Sequence, residues 1–232
     1  MDLNQFALGA LWYVVFLLST TCHEAAHALV SSRGGDRTAE AGGQASLNPL
    51  PHIRREVFGM VIVPLLTFAT SGWMMGWASA PYDRAWAYTY PRRAAAMALA
   101  GPAANFTLAV LAAGGIRIGL AAGFFSPPEF LRFSQITGAS EGLPEAAAVL
   151  LSIMFSLNLL LGVFNLLPVP PLDGWAALGL ALPQAQARRL AELSRSMGML
   201  SIVGLLVAWQ FFGQLYSPLF RSAVRLLYGL TP

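Results

Sequence analysis

Lysine is absent from this 232-residue chain, and charge of either sign is scarce: eleven acidic residues, fourteen arginines, 11% charged in all. A soluble domain carries about 25%, so an ordinary solvated surface is excluded. No run of arginines exceeds two, which excludes a nucleic-acid partner and leaves the arginines as markers of membrane topology. A single cysteine, Cys22, excludes an internal disulfide, and its expected role is that of a small buried hydrophobe. Histidine is almost as rare, at three residues. No cleavage site follows the first apolar stretch, so no removable signal peptide is expected. Internal repeats, low-complexity tracts and room for an appended soluble domain are likewise lacking.

What the chain does have is long apolar runs, at residues 3–30, 57–77, 94–122, 146–167 and 197–216. Runs of about 20 apolar residues read as membrane-spanning helices, so the expected class is an all-α integral membrane protein. Polar, Gly/Pro/Arg-rich stretches separate the runs. Within 31–56, the segment Ala41-Gly42-Gly43-Gln44-Ala45-Ser46-Leu47-Asn48-Pro49 predicts a small extended hairpin, with Asn48 as its anchor. Such an exposed edge would let an unwound peptide add as a strand. Residues 183–196 predict an interfacial amphipathic helix opened by Pro183, and residues 217–232 a surface tail. The expected organisation is a core over 1–180, followed in 181–232 by that helix, a last transmembrane helix and the tail.

Two of the three histidines, His23 and His27, stand four apart around Glu24 inside the first apolar run. On a helix this spacing puts both imidazoles on one face, where they can share a zinc ion. Glu24 then faces the open side of the metal and can take a proton from water there. Ionisable groups at membrane depth are costly without a role. The bland alternative is a pair of histidines hydrogen-bonded to a neighbouring helix. A tetrahedral site needs a third protein ligand. His52 sits in the polar loop, whereas Asp173 is an isolated acid behind Pro168, Pro170 and Pro171 in apolar surroundings, and is the better candidate. Its alternative role is to cap a helix starting at Gly174.

Four segments in this order, His23-Glu24-Ala25-Ala26-His27, Asn48-Pro49, Gly101-Pro102-Ala103-Ala104-Asn105 and Asn165 through Leu172-Asp173-Gly174, resemble the site-2 protease family of intramembrane zinc metalloproteases. The likeness is to compact prokaryotic members without PDZ or CBS domains. The resemblance implies one Zn2+ per chain held by His23, His27 and Asp173, Glu24 as the residue that activates water, and Asn165 as a residue that holds the substrate or the tetrahedral intermediate. It also implies a substrate that is itself a membrane protein with a transmembrane helix, such as an anti-sigma factor or a signal peptide. Relatives often carry a lysine where this chain has Ser79. Packing alone accounts for Gly101, Ala103 and Ala104. Asn105 either orients a ligand or makes an interhelical hydrogen bond, and Asn158 is read as a helix contact.

A shared metal constrains the topology. If the first four apolar runs all crossed the bilayer, Asp173 would emerge opposite the histidines. One run must therefore enter and return on the same side, and 57–77, broken by Pro64, Gly72 and Gly76, is the candidate. Loops 31–56, 78–93 and 168–196 then share one side with ten arginines, a positive-inside asymmetry; full spanning gives a near-even seven to six. The expected protein is thus multi-pass in the cell (inner) membrane, with a three-helix zinc core and an active site nearer the cytoplasm. Two readings of other kinds remain: a metal-binding membrane protein without proteolytic activity (a regulatory pseudoprotease or a transporter), and a structural partner that binds no metal.

Overall fold

The structure, a computed structural model, describes residues 3–229. In chain order its helices are α1 (Leu3–Arg33), α2 (Thr38–Ala41), α3 (Pro49–Arg55), α4 (Val63–Ser71), α5 (Arg84–Thr89), α6 (Pro91–Ala121), α7 (Leu143–Asn165), α8 (Asp173–Ala177), α9 (Gln184–Met197) and α10 (Met199–Leu227). Two two-residue strands, β1 (Phe125–Ser126) and β2 (Gly138–Ala139), pair antiparallel between α6 and α7. The protein is all-α and polytopic: α1, α6, α7 and α10 are each long and apolar enough to cross a membrane. Even the shortest of them, the 23-residue α7, rises about 35 Å against a hydrocarbon core of about 30 Å.

The core is the α1–α6–α7 triplet. Buried positions on α6 fall at Ala95, Ala98, Pro102, Asn105, Ala109, Ala112, Ile116 and Gly119. Their spacing alternates three and four residues, so they form one seam along the helix. Small side chains dominate this seam and let the neighbouring backbones approach closely, as membrane helices require. Trp12, Phe16, Ile116, Ile153 and Leu157 fill the space further from the metal end. In contrast, only 17% of α10's apolar window is buried, against 50% for α7, so α10 is a peripheral helix that faces lipid along most of its surface.

The re-entrant segment has a defined shape. A π-helical stretch, Phe58–Ile62, leads into α4, and the two together rise about 21 Å, too short to cross. After Gly72, in the left-handed conformation at φ 75°, residues 73–77 return without helix. The Trp77 N–H donates to the Gly59 carbonyl at 3.1 Å, closing the hairpin. A Cβ on Gly59 would lie 2.2 Å from the Trp77 oxygen, and one on Gly76 2.1 Å from the Gly59 oxygen; glycine at both positions is what allows the two limbs to touch. Both limbs pack along α1, the outward one with Phe68 against Gly9 and the returning one with Gly76 beside Phe16. The chain then passes through α5 to α6, whose first turns lie against the last turns of α1.

Two expectations from the sequence change. Residues 42–48 form turns and bends rather than a hairpin, between α2 and α3. Asn48 accepts a hydrogen bond from the Leu50 N–H at 3.0 Å and Pro49 occupies the first turn, so the Asn-Pro pair is a helix start. With no strand there, the edge expected to receive an unwound peptide does not exist. The expected surface tail is largely the end of α10, which continues through Pro218 to Leu227. Val224 and Leu227 bury into the core there, Arg117 caps the Leu227 carbonyl at 3.0 Å, and these contacts outweigh the backbone hydrogen bond the proline removes. Residues 230–232 lie outside the described residues. The amphipathic helix expected at 183–196 is α9, with Pro183 at its N-cap.

Candidate metal centre

His23, Glu24 and His27 occupy successive positions on one stretch of α1, and each is only 7% exposed. The i,i+4 spacing brings the two imidazoles edge to face with Nε2 atoms 3.0 Å apart. Asp173, 150 residues beyond His23 in the chain, arrives from the other side. Its Oδ2 lies 3.1 Å from His23 Nε2 and 3.3 Å from His27 Nε2. The segment before it carries Pro168, Pro170 and Pro171, which keep residues 166–172 out of a regular helix. Gly174 then packs so closely that a Cβ would stand 2.2 Å from the Leu166 carbonyl. The N-cap of α8 is Leu172, not Asp173, so the aspartate carboxylate serves the histidines and not the helix end.

The donor set fits a metal ion on two grounds. Donor atoms at about 2.0–2.1 Å from a tetrahedral zinc stand about 3.3 Å from each other, close to the 3.0–3.3 Å measured here. Room for the two rings to converge is also kept open. A Cβ built on Gly101 of α6 would fall 2.4 Å from His27 Nε2, 2.5 Å from His23 Nε2 and 2.6 Å from His23 Cε1, against the rings themselves. Packing between helices, expected from the sequence as the reason for Gly101, takes a specific form here: any larger residue would push the His23 and His27 rings out of place. Two histidines, one carboxylate and an open side make up the ligand type of catalytic rather than structural zinc.

The far nitrogens of both rings are held. His27 Nδ1 is 2.7 Å from the Met97 carbonyl and His23 Nδ1 is 2.6 Å from Asn105 Oδ1. Pro102, lacking an N–H, breaks the α6 ladder in the same turn that supplies these partners. Asn105 makes the interhelical hydrogen bond considered for it, since its Nδ2 also reaches Asn158 Oδ1 on α7 at 2.8 Å. Met97 acts through its backbone and leaves no mark in the sequence. Glu24, by contrast, makes no hydrogen bond or ion pair among the described residues, so its buried carboxylate is free to engage water.

The other candidates separate from this centre. Asn165, at the end of α7, donates to the Leu161 carbonyl of its own helix at 3.0 Å and has no hydrogen bond to His23, Glu24, His27 or Asp173. His52 is fully buried in α3 with its Nε2 3.3 Å from the Ser46 carbonyl, and takes no part in the His23–His27–Asp173 group. Cys22 is a half-buried free thiol. Ser79 ties the returning limb of the hairpin to the preceding loop: its carbonyl accepts from Gln44 and its hydroxyl donates to Glu56.

Comparison with known proteins gives one concordant result. The profile described as "Peptidase family M50" matches residues 11–209. The chain is 31% identical over 198 residues to the Bacillus subtilis (strain 168) protein named "Putative zinc metalloprotease YwhC", covering 84% of this chain and 78% of that one. It is 32% identical over 192 residues to "Putative zinc metalloprotease Rip2" of Mycolicibacterium smegmatis, covering 83% of this chain and 64% of that one. For the protein of the same name in Mycobacterium tuberculosis (strain H37Rv) the identity is 30% over 211 residues, with 87% and 70% covered. No solved structure matches the chain.

Proposed function

This chain belongs to peptidase family M50, and from that premise we propose that it hydrolyses peptide bonds of membrane proteins within the bilayer, using one zinc ion held by His23, His27 and Asp173. The observation that carries the reading is the meeting of three donor atoms within 4.8 Å of one another at membrane depth, with an unpaired glutamate on the same helical turn. Bound there, zinc supplies a Lewis acid that polarises a carbonyl and lowers the pKa of water. The rest falls to the chain. Glu24 takes the proton from the attacking water and returns it to the departing amine. Met97 and Asn105 hold the two rings so that both Nε2 atoms face one point. Asn165, the last residue of α7, stands at the head of the turn leading to Asp173, where it would meet substrate. The substrate is a transmembrane helix that unwinds locally, because helical hydrogen bonds shield its carbonyls.

In this reading water comes from the arginine-rich end. A cavity of about 440 Å³ opens there, with Tyr82, Arg84, Tyr88, Met97, Trp175 and Glu192 in its wall; Met97 also meets the metal centre, through its carbonyl at His27 Nδ1. Ten of the fourteen arginines belong to this end, which supports a cytoplasmic position for it in a cell membrane. Arg93→Cys is expected to react with a membrane-impermeant thiol reagent in inverted vesicles and not in intact cells. Labelling from outside the cell would reverse the topology.

The central test is metal content alongside cleavage. Purified wild type is expected to hold close to one zinc per chain and to cleave a transmembrane substrate in liposomes, with activity lost to a chelator and regained on adding zinc. Asp173→Ala, with helicity and melting unchanged, is expected to lose most of the zinc. Full zinc in that variant would remove Asp173 from the ligand set, and a zinc-free wild type after metal supplementation would overturn the reading.

A further inference from the structure

The two ligand histidines are held by different kinds of partner. His27 Nδ1 faces a backbone carbonyl, which can only accept, so Nδ1 must carry the proton and Nε2 the free lone pair. His23 Nδ1 faces a side-chain amide, and an amide has a donating end as well as an accepting one. Turned over, Asn105 would present its amino group to Nδ1, push the ring proton onto Nε2, and block the metal. Something must stop that turn.

We propose that Asn158 and Ser19 are positioning residues for the metal centre: they form a one-way hydrogen-bond relay that keeps the Asn105 oxygen, never its amino group, against His23. The proposal rests on the reading of His23 as a ligand. The Asn105 amino group donates to Asn158 Oδ1 at 2.8 Å and reaches the Ser19 backbone carbonyl at 3.5 Å. Asn158 is prevented from turning in its place, because its amino group donates to the Met154 carbonyl at 2.9 Å and to Ser19 Oγ at 2.8 Å. Ser19 can accept there because its own proton goes to the Val15 carbonyl at 2.7 Å. Every branch ends on an acceptor that cannot donate, a backbone carbonyl or the Met154 Sδ 3.2 Å from the Asn158 amino group, and this sets the polarity of the whole chain. Ser19, Asn105 and Asn158 are all 0% exposed, so water cannot replace a lost link, and reversing any one amide would leave buried groups unpaired. The relay joins α1, α6 and α7, so the packing of the core triplet and the tautomer of its ligand are set together.

The test is zinc affinity of the detergent-solubilised full chain, read by competition with a chromophoric chelator. Asn158→Leu keeps the volume and deletes the relay, and is expected to weaken zinc binding about 10–100-fold, the usual effect of losing a partner behind a ligand. Adding Asn105→Asp to that variant is expected to restore affinity to within a few-fold of wild type, because a carboxylate has no donating end to turn inward. A packing role for Asn158 predicts no such rescue. Should Asn158→Leu fail to fold, Ser19→Ala removes one link with little change in shape, and the same loss and the same recovery are expected. Wild type that binds zinc while both variants bind it equally tightly, or a loss that Asn105→Asp does not recover, overturns the relay alone. Wild type that binds no zinc overturns the metal-centre reading, and the relay with it.

Discussion

Glu24→Gln is expected to leave zinc bound at the wild-type level while slowing cleavage of a transmembrane substrate by about 10²–10⁴-fold, the usual contribution of a positioned general acid–base. The substitution keeps the shape and removes only the ability to accept a proton. Because Glu24 makes no hydrogen bond or ion pair among the described residues, no partner is orphaned. Glu24 is also 93% buried, so a neutral amide is easier to accommodate there than a carboxylate. A variant that is inactive because it is unfolded is therefore not expected, and retained zinc is the internal control. The measurement is initial rate in liposomes with metal content determined on the same preparation. Cleavage within a few-fold of wild type would remove Glu24 from the chemistry and leave the metal centre without its base.

Gly101→Ala is expected to produce a folded protein with almost no zinc and no measurable cleavage. The single methyl group would stand within 2.6 Å of both His23 and His27, where one or both rings must give way. The rings cannot swing aside without giving up Met97 and Asn105 behind them. Alanine is a better helix former than glycine, so α6 itself gains rather than loses from the change. The prediction is thus loss of metal without loss of fold: the rings give way, helicity stays near wild type, melting falls by the cost of the strained packing, and zinc per chain is near zero. Stoichiometric zinc in this variant would show that the two rings need not hold their observed positions to bind the ion. Gly101→Ala and Glu24→Gln are complementary, one losing the metal and the other only the proton transfer.

Much of the architecture was legible because membranes restrict the menu. Four helices are long and apolar enough to cross a membrane, where their backbones satisfy themselves. The re-entrant hairpin followed from parity, since His23 and Asp173 can share a metal only if one run turns back. The i,i+4 pair followed from helix geometry alone. Local composition misled where it serves two structures equally well. Glycines followed by Asn-Pro suit a hairpin and a helix start alike, and only the Asn48–Leu50 hydrogen bond distinguishes them. Pro218 reads as a helix end, yet contacts made by Val224, Leu227 and Arg117, distant in sequence, carry α10 past it.

What the sequence alone determined is therefore what depends on neighbours along the chain: membrane class, the helix that pairs His23 with His27, and the glutamate between them. What only the tertiary structure decided is what depends on neighbours across it. That Gly101 lets both histidine rings approach α6, that a backbone carbonyl orients His27, and that Asn105 faces His23 with its oxygen are consequences of α6 and α7 packing against α1. A glycine or an asparagine in an apolar run looks the same whether it packs a helix or shapes a site. The difference lies in which side chain stands opposite, and that is set by helix register, which no local pattern encodes.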